Sequence, residues 1–463
     1  MGSPVARRRR GQELGLGLMA VVVTAGGYVL LLLADTTDLP PDLWVFLLAV
    51  LGLYLVAHLA VRRFASRADA TLLPIAAVLN GIGFVTVSRL DRDLARVQAV
   101  WIAVGVGAFV LTLILVRRVR DLERYKYTFL LLGIAALLIP LLPVVGQEIN
   151  GARLWVRLGP LNFQPGELAK VLLVVFFAAY LVEKRELLSS GTRHIGRLAL
   201  PDPKHLGPLL LAWSVSILVM VRQKDLGSSL LFFAVFAAML YIATERASYL
   251  LVAFGLFIGG AVIAYQLFGH VQDRVTAWVD PWSVSQTTGF QIVQSMFAFG
   301  SGGFAGTGLG LGSPQKIPNA STDFVFSAIG EELGLIGTAA VCILFLLFVG
   351  SGFRIAVQAE RPFSKLFAAG LTTIIGVQTF VIVGGVTRVI PLTGVTLPFV
   401  SYGGSSLIAN FVIVALLLRI SDETIAAAEQ PRARTTASIG DGSAGAPARR
   451  GGTEPARRTG TGP

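Results

Sequence analysis

Long apolar runs separated by short polar stretches set the organisation of this chain. A helix crosses the hydrocarbon core of a bilayer on about 20 apolar residues. Runs near that length recur at 14–34, 43–61, 72–87, 99–116, 128–145, 168–182, 207–221, 229–243, 249–268, 324–349, 366–386 and 397–418. The pattern predicts an all-α polytopic membrane protein with about twelve transmembrane helices, the shorter runs borrowing a turn from their flanks. A basic N-terminus, 1–13, leads into two spans over 14–71 and then a core over 72–419. The first run follows the arginines at 7–10, but it is too long for a signal-peptide h-region. No small-residue cleavage site follows it, so the span is read as retained. One stretch, 269–323, is far longer than the other connections and precedes the tenth span. A loop of that length in a compact protein is usually functional. Residues 420–463 are rich in Ala, Gly, Arg, Thr and Pro, a composition that predicts a disordered tail. No internal repeat is evident, which counts against a transporter built from inverted halves.

Composition turns the pattern into a solvent argument. Hydrophobic residues make up 54% of the chain and charged residues 14%, with a mean hydropathy of +0.71. Soluble domains carry about a quarter charged residues, so this chain needs lipid around it. The single cysteine, Cys342, excludes an internal disulfide and makes zinc or thiol chemistry a poor reading. A formal charge of +12 would suit nucleic acid, yet the basic residues lie in short loops and in the tail. That is the positive-inside signal, and it implies no nucleic-acid partner. With the N-terminus inside, the segments 62–67, 117–126, 183–205, 245–246 and 354–365 are cytoplasmic, as is the tail. The expected location is the plasma membrane, multi-pass, with both termini cytoplasmic. The loop 269–323 is then extracytoplasmic. The basic residues at 89–96 and around Trp155 fall on the outer side, where the rule disfavours them, and so need a reason.

Three outer regions carry polar residues that membrane insertion alone does not require. In the first, Gly-Ala-Arg-Leu-Trp-Val-Arg-Leu-Gly-Pro at 151–160 runs into Gln-Pro-Gly-Glu-Leu-Ala-Lys at 164–170. Pro165 ends an extended segment and can start a helix, which puts Glu167 and Lys170 on one face. They are either an ordinary interfacial ion pair with Trp155 as an aromatic anchor, or the floor of a pocket, since ionisable groups at membrane depth usually mark a site. The second region is 269–323, with a glycine-rich run at 300–312 that lets backbone N–H groups approach an anion. It matches no P-loop, and nucleotide binding is not expected. The region ends in Ser-Thr-Asp-Phe-Val-Phe at 321–326, where Asp323 is either a helix N-cap or, if Thr322 caps, a free carboxylate. Glu331 and Glu332 lie deeper and call for basic partners from other helices. The third region, 388–406, holds Arg388, two prolines and several glycines. Broken helix at that depth implies a wet cavity or burial in protein.

Four ordered motifs resemble the SEDS family (shape, elongation, division and sporulation). They are Gln-Pro-Gly-Glu-Leu-Ala-Lys at 164–170, Gln-Lys-Asp-Leu-Gly-Ser-Ser at 223–229, Thr-Asp-Phe-Val-Phe at 322–326 with Glu-Glu-Leu-Gly at 331–334, and Leu-Pro-Phe-Val-Ser-Tyr-Gly-Gly-Ser-Ser at 397–406. The resemblance covers about 72–419. It implies a peptidoglycan glycosyltransferase that polymerises lipid II outside the membrane, with a class B penicillin-binding protein (a transpeptidase) as partner. It also implies that Asp323 is the catalytic residue, and that Trp155, Glu167 and Lys170 line the same cavity. Lys224 departs from a usual proline, and Asn319 stands where a Glu often precedes the Thr-Asp pair. The two spans before 72 exceed the family's usual ten, and with the Ala/Gly/Arg-rich tail they resemble the elongation branch in actinobacteria.

The implied reaction joins a sugar hydroxyl of one lipid II to the anomeric carbon of a glycan carried on a lipid pyrophosphate. A positioned carboxylate that takes the hydroxyl proton supplies a factor of about 10²–10⁴, the role expected of Asp323. The pyrophosphate needs charge stabilisation more than a proton, and Arg153, Arg157, Lys316 and Arg388 are the candidates for it. An α-linked donor giving a β-linked product means inversion by single displacement. No cofactor is read from the sequence. A divalent cation such as Mg²⁺ could assist the pyrophosphate, although no carboxylate cluster marks a metal site. Competing classes are a lipid II flippase and a non-catalytic scaffold of the wall machinery. A flippase needs a polar path through to the inner face, and no run of polar residues continues one.

Overall fold

A computed structural model describes residues 4–440, apart from 36–42, 150–151, 160, 190–192, 196–197, 201–213, 216, 220 and 224. The labelled helices are α1 (Pro4–Asp35), α2 (Leu43–Phe64), α3 (Leu72–Leu90), α4 (Arg92–Leu115), α5 (Lys126–Leu138), α6 (Pro165–Glu183) and α7 (Leu226–Thr244). They continue with α8 (Ala247–Leu267), α9 (Gly269–Val279), α10 (Phe290–Gly302), α11 (Val325–Gln358), α12 (Pro362–Val386) and α13 (Gly404–Gly440). Among the described residues, ten helices are long and apolar enough to span a bilayer, and the shorter apolar stretch Lys126–Leu141 accompanies them. The run expected at 207–221 lies largely outside the described residues. Helices α3, α6, α12 and α13 are buried along most of their length, while α8 exposes almost all of its apolar surface. In water that exposure would be costly; in a bilayer it is the lipid-facing side.

Two interhelical networks mark the two ends of the bundle. At one end Arg67 N donates to Asp422 Oδ1 at 2.8 Å, Val119 N to Glu423 Oε1 at 2.7 Å, and Arg354 pairs with Asp69 at 2.8 Å. At the other, Gln164 N donates to Ser405 Oγ at 2.7 Å and Tyr402 N to Ser321 O at 2.8 Å. The first network corrects the disorder expected from 420 onward. Residues 420–440 continue α13, and over the first part of that stretch Ser421, Asp422, Glu423 and Glu429 are held by the loops at 65–69 and 119. Residues 441–463 lie outside the described residues.

The two leading helices are fastened to each other by buried polar contacts. Glu13 of α1 is paired with Arg10 and with His58 Nδ1 of α2, the latter at 2.8 Å, and Tyr54 donates to its backbone oxygen at 2.7 Å. Gly81 of α3 has no room for a Cβ beside Thr24 of α1, so those two helices approach closely. At the opposite end the extended segment before Pro165 is a three-stranded antiparallel sheet: β1 (Gly146–Ile149), β2 (Ala152–Leu158) and β3 (Leu161–Phe163). Trp155 faces Gln147 and Arg157 faces Asn162 across it. The stretch 269–323, expected as a loop, contains the helices α9 and α10.

Candidate functional site

Pro165 occupies the first turn of α6, where its missing N–H and fixed φ cost nothing. One turn on, Lys170 Nζ pairs with Glu167 Oε2 at 2.7 Å and donates to Gln378 Oε1 of α12 at 3.0 Å. Gln378 Nε2 in turn donates to Thr396 O at 2.8 Å. Glu167, Lys170 and Gln378 are all buried. The sequence left two readings of this pair, an interfacial ion pair or the floor of a pocket, and in the structure it is buried between helices. It braces α6 to α12 and to the unwound segment 387–403.

That segment supports the loop that carries Asp323. Ser401 Oγ donates to Thr322 O at 2.5 Å and accepts from Leu397 N at 2.9 Å. Asn80 of α3 donates to Phe399 O at 3.2 Å, fixing a residue whose φ of 65° is unfavourable for a side chain of that size. Asn319 also turns through positive φ, at 58°, which asparagine tolerates, and its carbonyl accepts from Thr322 N and Phe324 N. Its departure from the usual pattern therefore leaves the turn before Asp323 intact. The other departure, Lys224, lies outside the described residues.

Asp323 is not spent on a cap. The N-cap position of α11 is Phe324, which makes no side-chain cap, and Asp323 lies one residue earlier, partly buried. Burial pushes its pKa up to about 6, with Asp225 adding to the rise and Arg274 and the Thr322 hydroxyl opposing it. Asp225 caps α7 by accepting from Ser228 N at 2.9 Å. Its own pKa is raised, first by burial and further by Glu167. Arg274 of α9 is held down from its usual value by burial, against the pull of Asp225 and Asp323. Nη1 of Arg274 donates to Thr393 O at 3.0 Å. Asp225, Arg274 and Asp323 thus come from three elements and sense one another electrostatically. The sequence reading passed over Asp225 and Arg274. The Gln-Lys-Asp motif at 223–225 was the available signal for the first, and nothing local distinguishes Arg274.

Glu331 and Glu332 have a different setting. Helix α11 breaks at Gly334, with φ 64° and ψ −160°. The freed carbonyls of Glu331 and Glu332 accept from Thr307 N at 2.9 Å and Gly308 N at 3.0 Å, while Leu335 N and Ile336 N donate to Gly303 O and Phe304 O. The glycine-rich run is therefore a splint for a broken helix. Gly306 passes so close that a Cβ there would lie 2.2 Å from Glu332 O. Arg89 of α3 pairs with Glu332 at 3.0 Å and donates to the carbonyls of Gly310 and Gly312, both at 3.1 Å. Ser313 N donates to Glu331 Oε1 at 2.8 Å. One of the arginines that the sequence reading expected on the outer side thus has a structural reason.

The four clamp candidates do not converge. Arg153, Trp155 and Arg157 alternate along β2 and share one face, on which both arginines are exposed. Arg153 pairs with exposed Glu148 at 3.2 Å, and Arg157 donates to Gly159 O at 3.2 Å. Lys316 is exposed on a 3₁₀ turn, Pro314–Lys316. Arg388 is engaged elsewhere, its Nε and Nη2 donating to the C-terminal carbonyls of α9, Trp278 O at 2.9 Å and Val279 O at 3.0 Å. Trp278 Nε1 donates back to Arg388 O at 3.1 Å. Arg388 therefore terminates a helix.

A cavity of about 440 Å³ lies among α1–α4, away from Asp323. Its lining is apolar, with only Thr24, Tyr54 and Asn80 as polar side chains, and it offers no acid or base for glycosyl transfer. Among the described residues no three His, Cys, Asp or Glu side chains gather in a way that would hold a metal ion.

The chain's relatives agree with this architecture. The family model described as cell cycle protein, covering FtsW, RodA and SpoVE, matches residues 70–425. The peptidoglycan glycosyltransferase RodA of Mycobacterium tuberculosis is 45% identical over 430 residues, 90% of this chain and 92% of that protein. A probable peptidoglycan glycosyltransferase FtsW of Geobacter metallireducens is 34% identical over 77% of this chain and 95% of its own length. Among solved structures, a peptidoglycan synthase complex that coordinates polymerisation and crosslinking aligns with a TM-score of 0.62 at 27% identity, covering 77% of this chain and 98% of that one. The Thermus thermophilus rod-shape-determining protein RodA aligns at 0.53 and 29% identity, over 76% and 96%. The chain belongs to the SEDS family of FtsW, RodA and SpoVE proteins, and within it to the actinobacterial type of RodA.

Proposed function

We infer that this chain is a peptidoglycan glycosyltransferase of the plasma membrane, polymerising lipid II during cell elongation with Asp323 as general base. The enzyme class follows from its RodA relatives. The base assignment rests on one observation: Asp323 is a partly buried carboxylate outside the helix cap, with a pKa near neutrality at about 6. General bases work best when their pKa lies near the operating pH. In the proposed step Asp323 takes the proton of the acceptor hydroxyl as that oxygen bonds to the anomeric carbon. The bond to the donor's pyrophosphate breaks, and its electron pair leaves with the phosphate. Inversion follows from the single displacement. The exposed Arg153–Trp155–Arg157 face and Lys316 are proposed to meet the anionic headgroup, and Glu167–Lys170 to brace the unwound segment that supports Asp323. Arg388 is proposed to act only by fixing α9.

The reaction as written needs no cofactor. A divalent cation such as Mg²⁺ travelling with the pyrophosphate is compatible with it. The partner we propose is a class B penicillin-binding protein, by analogy with the synthase complex that this chain resembles. In orientation, the end carrying Asp323 faces outward and both termini face the cytoplasm. Purified protein, with and without that partner, should convert labelled lipid II in detergent into glycan ladders on a gel. Lipid translocation in vesicles without any polymer would overturn the reading in favour of a flippase, and neither activity would leave a scaffold.

A further inference from the structure

Helix α9 lies across the unwound segment through two residues one turn apart. Arg274 donates to Thr393 O at 3.0 Å, and Trp278 donates to Arg388 O at 3.1 Å while Arg388 caps the end of the helix. The guanidinium is therefore delivered by a helix fixed at both points, and it occupies a defined place. Thr393 is followed by Gly394, exposed and at φ 72°. A Cβ at Gly394 would lie 3.6 Å from Arg274 Nη2 and 3.6 Å from Asp323 Oδ2. Apart from its chain neighbours it would meet nothing else within 4 Å among the described residues. The guanidinium and the carboxylate thus border one open space, floored by a residue with no side chain. Thr393 Oγ1 beside it is buried without a hydrogen-bond partner. A polar atom left unspent at such a place is costly unless something arrives to meet it.

We infer that Arg274 is a positioning residue for Asp323, and that the space above Gly394 between them, with the Thr393 hydroxyl at its side, receives the acceptor sugar hydroxyl. This rests on the glycosyltransferase reading and deepens it by naming where the nucleophile enters. The charged groups around Asp323 are Arg274 on α9 and Asp225 at the start of α7, with Glu167 and Lys170 of α6 behind Asp225. Of these, Arg274 is the one that favours the ionised carboxylate directly. Its charge keeps Asp323 able to accept a proton at physiological pH, and its bond to Thr393 O fixes the wall opposite.

The test separates this from the base assignment itself. Carbodiimide labelling of Asp323, read by mass spectrometry from pH 4 to 9 on the full-length protein in detergent, reports its protonation whether or not a variant turns over. The wild-type midpoint should lie at about 6. Removing an opposite charge at short range raises a carboxyl pKa by about one unit or more, so Arg274→Gln should move the midpoint upward by about one pH unit. Arg274→Lys should restore it, and polymerisation by the Lys variant should keep the wild-type acid limb at a reduced rate. An unmoved midpoint in Arg274→Gln would overturn the inference, leaving Arg274 as a structural tie to Thr393. Wild-type polymerisation by Asp323→Asn would instead overturn the reading beneath it, whatever the labelling shows.

Discussion

Two acidic groups on one stretch of chain are treated in opposite ways. Glu331 and Glu332 lie inside α11, and the fold satisfies them: Arg89 reaches one, Ser313 N–H reaches the other, and the glycine-rich run takes up the carbonyls that the Gly334 break sets free. Asp323 lies just before the same helix, outside its cap. It faces Arg274 across an open space, and burial raises its pKa to about 6. The difference teaches where to look for chemistry in a membrane protein. A buried carboxylate held by a guanidinium and backbone donors has spent its hydrogen-bonding capacity on the fold, whereas one left beside an open space can still meet a substrate.

The comparison breaks most sharply at Asp323. Asp323→Asn should lower polymerisation by about 10²–10⁴-fold with membrane insertion unchanged, measured as glycan product per inserted protein. Wild-type rates would remove the distinction between the two sites. The same variant should be more thermostable at pH 7. Since the folded pKa of about 6 lies above the unfolded value of 3.8, the fold binds this proton more tightly. The penalty for ionising Asp323 is absent below about 4, builds as pH rises through the window between the two values, and is complete above about 6, where it is on the order of 3 kcal/mol. A melting curve at pH 7 and another near pH 4 check the sign: the Asn advantage should be present in the first and gone in the second.

At the paired site the opposite loss is expected. Arg89→Ala leaves Glu332 buried without its partner, at a cost of about 3–5 kcal/mol in stability. It should appear as a lower melting temperature and reduced accumulation. Arg89→Ala combined with Glu332→Gln should recover part of it, because the unpaired charge is then removed. A double variant no better than the single would mean that the carbonyls of Gly310 and Gly312 are what Arg89 chiefly serves.

A smaller effect sharpens the assignment of the exposed basic face. Arg153→Ala with Arg157→Ala should raise KM for lipid II by about tenfold and leave kcat near wild type, the signature of lost ground-state binding. A loss confined to kcat would move these arginines into the transition state. The smallest effect on activity is expected at Arg388, whose bonds cap α9. Arg388→Ala should cost about 1.5–3 kcal/mol in stability, as for charged hydrogen bonds to backbone, and lower turnover only as far as α9 loosens. Retained stability with strongly reduced turnover would return Arg388 to the pyrophosphate.

The sequence alone determined the solvent and the all-helical, many-times-crossing architecture, because hydrocarbon forces each crossing to be a long apolar helix whatever it packs against. It also singled out Asp323, Glu167 and Lys170, since ionisable groups are conspicuous beside so much apolar chain. It predicted the helix start at Pro165, which is a local property of one residue's φ. Composition from 420 onward argued for disorder, and over 421–429 it was overruled by contacts with loops more than 300 residues away. The glycine-rich run suggested an anion site, and only the break at Gly334 gave its N–H groups their partners. The same holds for arginine. Arg89, Arg153, Arg274 and Arg388 look alike along the chain, yet one neutralises a buried glutamate, one is exposed on a strand, one faces the proposed base and one ends a helix. Charge is carried by the residue, but what it acts on is set by which distant segment folds against it.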